Sequence, residues 1–176
     1  SVANGGGSVS SAGLFTADAV AGSFVDTVRA TAAGIHASAS VTVTPAAAET
    51  LVLPPTATIL NPTDTAKFSI AVLDKYGNTV GGTPAWSVIN GGGTISSTGL
   101  FSAGTTPGTF ADTVEVKQSG LTGKATVTVI AGAPSLVQIS PTSATLTPTE
   151  SQSFSAVVKD EYGNVLDAPV VWAVVN

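Results

Sequence analysis

Two short acidic segments come nearest in composition to a metal site. Residues 74–78 read Asp-Lys-Tyr-Gly-Asn, and residues 160–164 read Asp-Glu-Tyr-Gly-Asn. Calcium requires six to eight oxygen ligands, whereas each segment offers one or two carboxylates and an amide. A tight hairpin turn needs the same residues, because Asp caps the backbone and Gly-Asn tolerates positive φ. We interpret both segments as turns, and a calcium site formed by Asp74, Asn78 and Asp112 is the alternative.

Asp112, and Asp26 in the same context, interrupt an apolar strand pattern. Alternation places Asp112 on one face with Phe110 and Val114, so that its carboxylate is expected to point inward. A half-buried carboxylate persists when it is hydrogen-bonded or paired. We therefore expect Asp112 to accept backbone N–H bonds from the loop 105–108 or from a neighbouring turn, as a structural clamp. An interdomain metal site is the second hypothesis.

The sequence contains few side chains that could act in catalysis. The chain has no cysteine and one histidine, His36, which falls in a predicted loop without a serine elbow or a paired acid. The glycine run after Asn90 lacks the Gly-Lys-Ser/Thr of a phosphate loop and precedes a strand, so it is interpreted as a flexible turn. The sequence predicts a protein that is not an enzyme and needs no cofactor.

Composition excludes further classes of partner. Of 176 residues, 43% are hydrophobic and 10% are charged, and the net charge is −5, the wrong sign for binding nucleic acid. No run approaches the roughly 18 apolar residues of a membrane-spanning helix. Many Ser and Thr residues lie near prolines, so they are candidates for O-linked glycans on an exported protein.

The elements that position these residues form an internal repeat of 86 residues. Shifting the sequence by 86 positions superimposes it on itself without a gap, and about 35 aligned pairs are identical. The linker-like segments lie near residues 45–50 and 131–135. We therefore expect a complete repeat over 46–133, the C-terminal half of a repeat over 1–45, and the N-terminal half of another over 134–176.

The complete repeat has the pattern of an all-β, immunoglobulin-like β-sandwich. Apolar residues alternate with polar ones, and Gly, Pro and Asn punctuate them at the spacing of sandwich strands. Trp86 is expected in the core between two sheets. No long helix is expected. The predicted strands are Thr50–Leu53, Lys67–Asp74, Ala85–Ile89, Thr94–Ser97, Leu100–Ala103, Thr109–Lys117 and Gly123–Ile130.

Motifs of the repeat resemble the bacterial Ig-like (BIg) repeats of invasin- and intimin-like adhesins and S-layer-associated proteins. The resemblance implies a mostly non-catalytic spacer at the cell surface, with binding confined to special terminal or inserted loops. The motifs that carry it are Phe68-x-Ile70-x-Val72-x-Asp74-x-Tyr76-Gly77-Asn78, Trp86-Ser87, Gly99-Leu100-Phe101-x-Ala103 and Gly123-Lys124-Ala125-x-Val127-x-Val129.

Each half-repeat is expected to need a partner, because half a sandwich exposes an apolar sheet face and open edges. The two halves complement each other, so head-to-tail copies would rebuild whole sandwiches. Either the chain is a window on a longer covalent array, which we favour, or separate subunits complete one another without covalent bonds.

The sequence thus predicts a structural segment of an extracellular prokaryotic stalk, fibre or surface layer, whose partner is itself, head to tail. A carbohydrate- or receptor-binding adhesin module is the alternative. Such a module would be expected to show a row of exposed aromatic residues, whereas the two Trp and two Tyr occupy repeated core or turn positions.

Overall fold

The computed structural model describes residues 1–175 and consists of strands and turns; Asn176, at the end of the predicted C-terminal half-repeat, lies outside the described residues. Within residues 1–175 there is no helix of the length and apolarity needed to cross a membrane. The strands are β1 (Gly7–Val9), β2 (Phe15–Ala17), β3 (Gly22–Ala32), β4 (Ile35–Val43), β5 (Ala48–Val52), β6 (Ala57–Leu60), β7 (Thr65–Lys67), β8 (Ala71–Asp74), β9 (Ala85–Val88), β10 (Gly93–Ile95), β11 (Leu100–Ala103), β12 (Gly108–Gln118), β13 (Leu121–Val129), β14 (Pro134–Ser140), β15 (Ser155–Asp160) and β16 (Val165–Leu166).

The chain divides into two compact units. Unit 1 comprises residues 1–53, 70–85 and 117–123, and unit 2 comprises residues 54–69, 86–116 and the chain from 124 onward. The division into repeats at residues 45 and 133 stays a prediction.

Unit 1 contains antiparallel pairs. The pairs are β1 with β2, β3 with β4, and β5 with β8. The hairpin between β3 and β4 turns at Ala33 and Gly34, whose φ angles of 50° and 79° are those of a type I′ turn. This turn matches the right-handed twist of the two strands, so the long ribbon can form from local sequence alone.

Unit 2 holds the larger sheets. Their strand orders are β10-β11-β7, β6-β13-β12-β9 and β14-β15-β16. The pairing of β6 with β13 is parallel, and β6 was absent from the strands predicted by alternation. It is short and its apolar residues do not alternate, so its sequence carries little strand signal.

The 86-residue period is also a structural period. Gly7 pairs with Ala17, and 86 residues later Gly93 pairs with Ala103. The Asn4 amide donates to the Val25 carbonyl over 2.7 Å, and the equivalent bond 86 residues later has the same length. The predicted class, all-β with immunoglobulin-like β-sandwich repeats of 86 residues, is confirmed.

The strand predicted over Lys67–Asp74 is divided in two. The Phe68 N–H donates to the Gly99 carbonyl over 2.8 Å, whereas the Ser69 N–H donates to the Pro54 carbonyl over 3.1 Å. The chain therefore changes its hydrogen-bonding partner between these two residues. Side-chain alternation continues through such a change, which is why the sequence pattern shows one strand.

The core of unit 2 centres on two phenylalanines. The rings of Phe68 and Phe101 meet edge to face, with centroids 6.2 Å apart, and both side chains are fully buried. Trp86 is half-buried rather than enclosed, and it lies against Gly99, where a Cβ would come within 2.9 Å of the indole. A side chain at position 99 would therefore displace this tryptophan.

The inward clamp predicted for Asp112 is wrong. Asp112 is exposed, its φ is 52°, and its own N–H donates to the Thr126 hydroxyl over 3.2 Å. The equivalent Asp26 has φ 53° and lies within the register shift of β3 against β4. A β-bulge with one left-handed residue resets the alternation, so Asp is present because it tolerates that conformation.

Substitution of Asp112 tests this explanation. Alanine should lower the free energy of unfolding by about 1 kcal/mol, because its Cβ disfavours positive φ, while glycine should be close to neutral. Urea unfolding of the three chains measures the difference. Equal stability of Asp112→Ala and Asp112→Gly would contradict a left-handed requirement at this position.

Candidate functional site

The segment 74–78 is a turn organised by its first residue. The Asp74 Oδ1 atom accepts the N–H groups of Tyr76 and Asn78, both over 2.9 Å. The backbone closes the same loop, because the Gly77 N–H donates to the Asp74 carbonyl over 3.0 Å, and Gly77 has φ 84°. The turn interpretation of this segment agrees with these bonds, and the acid and glycine have the roles that a tight turn requires.

The second carboxylate oxygen of Asp74 reaches beyond the turn. Its Oδ2 accepts the N–H of Ala46 over 2.8 Å and the Asn78 side-chain amide over 2.9 Å. Ala46 precedes β5, in the segment that the sequence marks as a linker. Asp74 is 4% exposed, so its carboxylate is held by N–H donors rather than by water.

These contacts set the charge state of Asp74. Burial by itself would raise the pKa of the carboxyl, but hydrogen bonds from the Asn78 side chain and from the N–H groups of Ala46, Asn78 and Tyr76 outweigh it. Together they lower the pKa of Asp74 from 3.8 to about 2. The group is therefore an anion at any pH near neutrality.

Asn78 links the turn to a distant loop of unit 1. Its side-chain amide donates to the Ala19 carbonyl over 2.7 Å, and its Oδ1 accepts the Ala21 N–H over 2.9 Å. Ala19 and Ala21 lie between β2 and β3. One side chain thus joins the loop after β2 to the turn after β8, and Asp74 joins the same turn to the segment before β5.

The second acidic segment repeats this arrangement in unit 2. The Asp160 Oδ2 accepts the Gly132 N–H over 2.9 Å, and the Asn164 amide donates to the Thr105 carbonyl over 2.8 Å. Burial opposes ionisation of Asp160, but hydrogen bonds from the Asn164 side chain and the N–H groups of Gly132, Asn164 and Tyr162 lower its pKa. Every partner lies 86 residues after its counterpart in the first turn. We name each set of residues an Asp–Asn junction. The first junction consists of Ala19, Ala21, Ala46, Asp74 and Asn78, and the second consists of Thr105, Pro107, Gly132, Asp160 and Asn164.

One position distinguishes the two junctions. Ala21 donates its N–H to Asn78 in the first junction, whereas Pro107 occupies the equivalent position in the second. Proline has no backbone N–H. The second junction therefore lacks the bond that the Asn78 Oδ1 accepts in the first.

The junction geometry bears on the calcium alternative. Asp74 and Asn78 are brought together, but their oxygens already accept N–H donors, while Asp112 lies in β12, in unit 2. Across residues 1–175, no three His, Cys, Asp or Glu side chains form a group suited to a metal ion. The calcium site of Asp74, Asn78 and Asp112 stays a prediction.

The other candidate residues lie elsewhere. His36 is exposed in β4, opposite Thr31, and not in a loop as predicted, because the preceding turn is two residues long. The glycine run is a fixed turn rather than a flexible one. The buried Thr113 hydroxyl donates to the Gly91 carbonyl over 2.6 Å, and a Cβ on Gly92 would lie 2.5 Å from the Phe110 ring.

Sequence reasoning missed the long-range bonds of the junctions. Asn78 was assigned to its turn, and Ala19, Ala21 and Ala46 carry no side-chain signal because they contribute backbone groups. A usable signal is that Asp and Asn recur 86 residues apart although the intervening Lys75 is replaced by Glu161. The exposed Tyr76 also recurs, as Tyr162, so repetition narrows the candidates but does not by itself separate bonded side chains from exposed ones.

No protein-family model matches the chain, and no curated protein matches it. Solved structures of the surface layer protein SbsC are similar to it. Domains 1–6 of that protein match with a TM-score of 0.45 and 21% identity over 90% of this chain and 22% of that chain. Domains 4–9 match with a TM-score of 0.45 and 22% identity over 88% of this chain and 26% of that chain. Scores below 0.5 mark a distant likeness, from which nothing about function follows.

The pKa of Asp74 predicts acid sensitivity of the first junction. Because the folded pKa lies below the ordinary 3.8, the ionised carboxylate contributes its full stabilisation above about pH 4. That contribution is lost as the pH falls through about 2. NMR protection of the Ala46 amide, corrected for intrinsic exchange, should fall over this range, and it should already be low at pH 6 in Asp74→Ala, whose side chain has no acceptor. Unchanged protection in that variant would contradict the proposed bond.

The contribution of Asn78 can be isolated with matched variants. Asn78→Ala removes the acceptor of the Ala21 N–H, so exchange of that amide should accelerate about fivefold, as expected for a bond worth about 1 kcal/mol. Asn164→Ala makes the same change in the second junction and should leave the Ala21 amide unaffected. Hydrogen exchange read by NMR measures both, and equal effects of the two variants at Ala21 would contradict a local bond.

Proposed function

We propose that the chain is a structural segment of a tandem-repeat protein at a prokaryotic cell surface, in a stalk, fibre or surface layer. The observation that carries this proposal is the recurrence of the Asp–Asn junction at the repeat period, where Asp160 and the Asn164 amide repeat the bonds of Asp74 and the Asn78 amide. A bond set that recurs with the repeat is expected where each repeat must hold its neighbour in one orientation.

The repeat boundaries follow from this proposal. Residues 46–133 form a complete repeat, and 1–45 and 134–176 belong to the repeats before and after it. Asn78 of the complete repeat then holds the loop of the preceding repeat, and Asp74 holds the linker between them. Equivalent junctions at a constant repeat period add similar increments of length, so the array continues head to tail as a linear filament.

The resemblance to BIg repeats supports the same role. The absence of cysteine removes redox sensitivity, and the solvated surface of an exported spacer suits a chain with 10% charged residues and abundant Ser, Thr and Gly. Function in such a protein is mechanical: the repeats set the distance between whatever lies at the two ends. We assign no catalytic role to the chain, because its conserved-in-repeat polar groups are bound to one another.

The exposed aromatic residues do not favour the adhesin alternative. Phe154 and Trp172 are 42% and 52% exposed, as a ligand platform would require. Their counterparts one repeat earlier, Phe68 and Trp86, are fully buried and half-buried. The same two positions are thus interior ones in the complete repeat, which does not favour a surface shaped for carbohydrate.

Immunogold electron microscopy of the source cells tests the proposed function. Antibodies against the chain should label intact cells without permeabilisation, along threads or a lattice with constant spacing between labels. Antibodies against a cytoplasmic protein of the same cells provide the control. Labelling that requires permeabilisation, or compact isolated particles, would contradict the proposal.

A further inference from the structure

The turn over residues 61–64 holds a threonine in a conformation that favours glycine. Thr63 has φ 67°, in the left-handed region where β-branched residues are rarely found. The Asp64 N–H donates to the Asn61 carbonyl over 3.2 Å, and the buried Pro62 precedes Thr63. A turn with proline second and a positive φ third is of type II, which ordinarily places glycine or asparagine at the third position.

The same choice of residue recurs one repeat later. Thr149 follows Pro148 and has φ 77°, and the Glu150 N–H donates to the Thr147 carbonyl over 3.1 Å. The first and fourth residues of the turn differ between the two repeats, whereas the proline and the strained threonine are kept. Glycine would form this turn with less strain but would carry no hydroxyl, so the strain points to a contact of the threonine side chain.

The Thr63 hydroxyl has such a contact, with a residue of the second acidic turn. The Tyr162 hydroxyl is hydrogen-bonded to the side chains of Glu161 and Thr63. Because a carboxylate only accepts, the phenol donates to Glu161, and the Thr63 hydroxyl donates to the phenolic oxygen. The Glu161 bond and burial raise the pKa of Tyr162 above 10.0, while the Thr63 bond lowers it.

The turn 61–64 lies beside two other segments at one end of the complete repeat. The Ile130 N–H donates to the Leu60 carbonyl over 3.0 Å, so the linker after β13 begins next to the turn. The Ala103 N–H donates to the Asp64 carbonyl over 2.8 Å, so the loop after β11 also begins next to it. We name three segments together the end surface: the turn 61–64, the loop 104–107 and the linker 130–133.

The second acidic turn contacts all three segments through alternate residues. Asp160 bonds to the linker, and the Asn164 amide bonds to the loop. Tyr162 lies between them in sequence and bonds to Thr63 in the turn 61–64. A third contact, made to a different segment, opposes rotation about the line that joins the other two.

We propose that the end surface is the docking site for the acidic turn of the next repeat, and that Thr63 receives the tyrosine of that turn. The strained threonine is kept because glycine, although it suits the turn, could not bond to Tyr162. The partner is defined by its chemistry as a turn with the sequence Asp-x-Tyr-Gly-Asn. This inference rests on the proposed function, because it takes residues 134–176 as a separate repeat.

Titration of the Tyr162 phenol tests the contact directly. The chain has two tyrosines, so the phenolate absorbance reports on Tyr162 alone in a Tyr76→Phe background. Thr63→Val keeps the β-branched shape at the strained position but removes the donor, so the pKa of Tyr162 should rise further. Thr63→Ser keeps a hydroxyl and should leave the pKa near that of the unaltered turn.

A matched control for this titration lies in the equivalent turn. Thr149→Val makes the same change one repeat later and should leave the pKa of Tyr162 unchanged. The proposal is overturned if Thr63→Val does not raise the pKa of Tyr162, or if Thr149→Val raises it as much.

A double-mutant cycle measures whether the two side chains stabilise each other. Thr63→Val should raise the equilibrium constant of unfolding about threefold in the unaltered chain, as expected for one partly exposed hydrogen bond. In a Tyr162→Phe background the same substitution should have almost no effect, because the acceptor is already gone. Urea unfolding measures both, and equal effects in the two backgrounds overturn the contact. Thr149→Val provides the control, since its effect should be the same in both backgrounds.

Failure of this contact and failure of the proposed function give different results. If the titration and the cycle show no coupling while intact source cells carry labelled threads, the docking contact is wrong and the structural role stands. If Thr63 and Tyr162 are coupled but label appears only inside cells, the contact stands and the proposed function is wrong.

Discussion

Each Asp–Asn junction depends on a buried carboxylate whose two oxygens both accept hydrogen bonds from N–H donors. Asp74 binds its own turn through one oxygen and a segment 28 residues earlier through the other. Removing an anion from water is costly, and it is tolerated here because every bond to the anion comes from a donor fixed by the fold. The bonds therefore cannot form until both the turn and the linker are in place. The Asp–Asn junction is thus a product of tertiary structure rather than of local sequence.

Sequence reasoning predicted much of the fold because two separate patterns, the alternation of apolar residues and the 86-residue repeat, indicate the same strands. Leu100–Ala103 was predicted with its observed bounds, since glycine-containing turns delimit it on both sides. The division near Phe68 and the parallel strand β6 could not be predicted, because partner exchange and pairing direction leave side-chain alternation unchanged. Asp112 was placed on the wrong face for a related reason: one left-handed residue shifts the phase of everything after it.

The site was predicted in part. The acidic turns were identified from residue types, but their partners are backbone groups of alanine, glycine and threonine, which no side-chain motif reveals. Comparing the chain with itself supplies what a single copy lacks. The repeated Asp, Gly and Asn keep their identity while Lys75 becomes Glu161. The exposed Tyr76 is kept as Tyr162 as well, so the repeat narrows the set of residues that make bonds without defining it.

In the proposed array, the proline at position 107 would make successive junctions unequal in strength, because it cannot donate the bond that Ala21 donates. A junction that lacks one hydrogen bond opens under a smaller load than one that keeps it. Applied tension would therefore be relieved first at the junction that contains Pro107. For the proposed fibre, a single loop residue per repeat would then be enough to determine where it yields and where it stays straight.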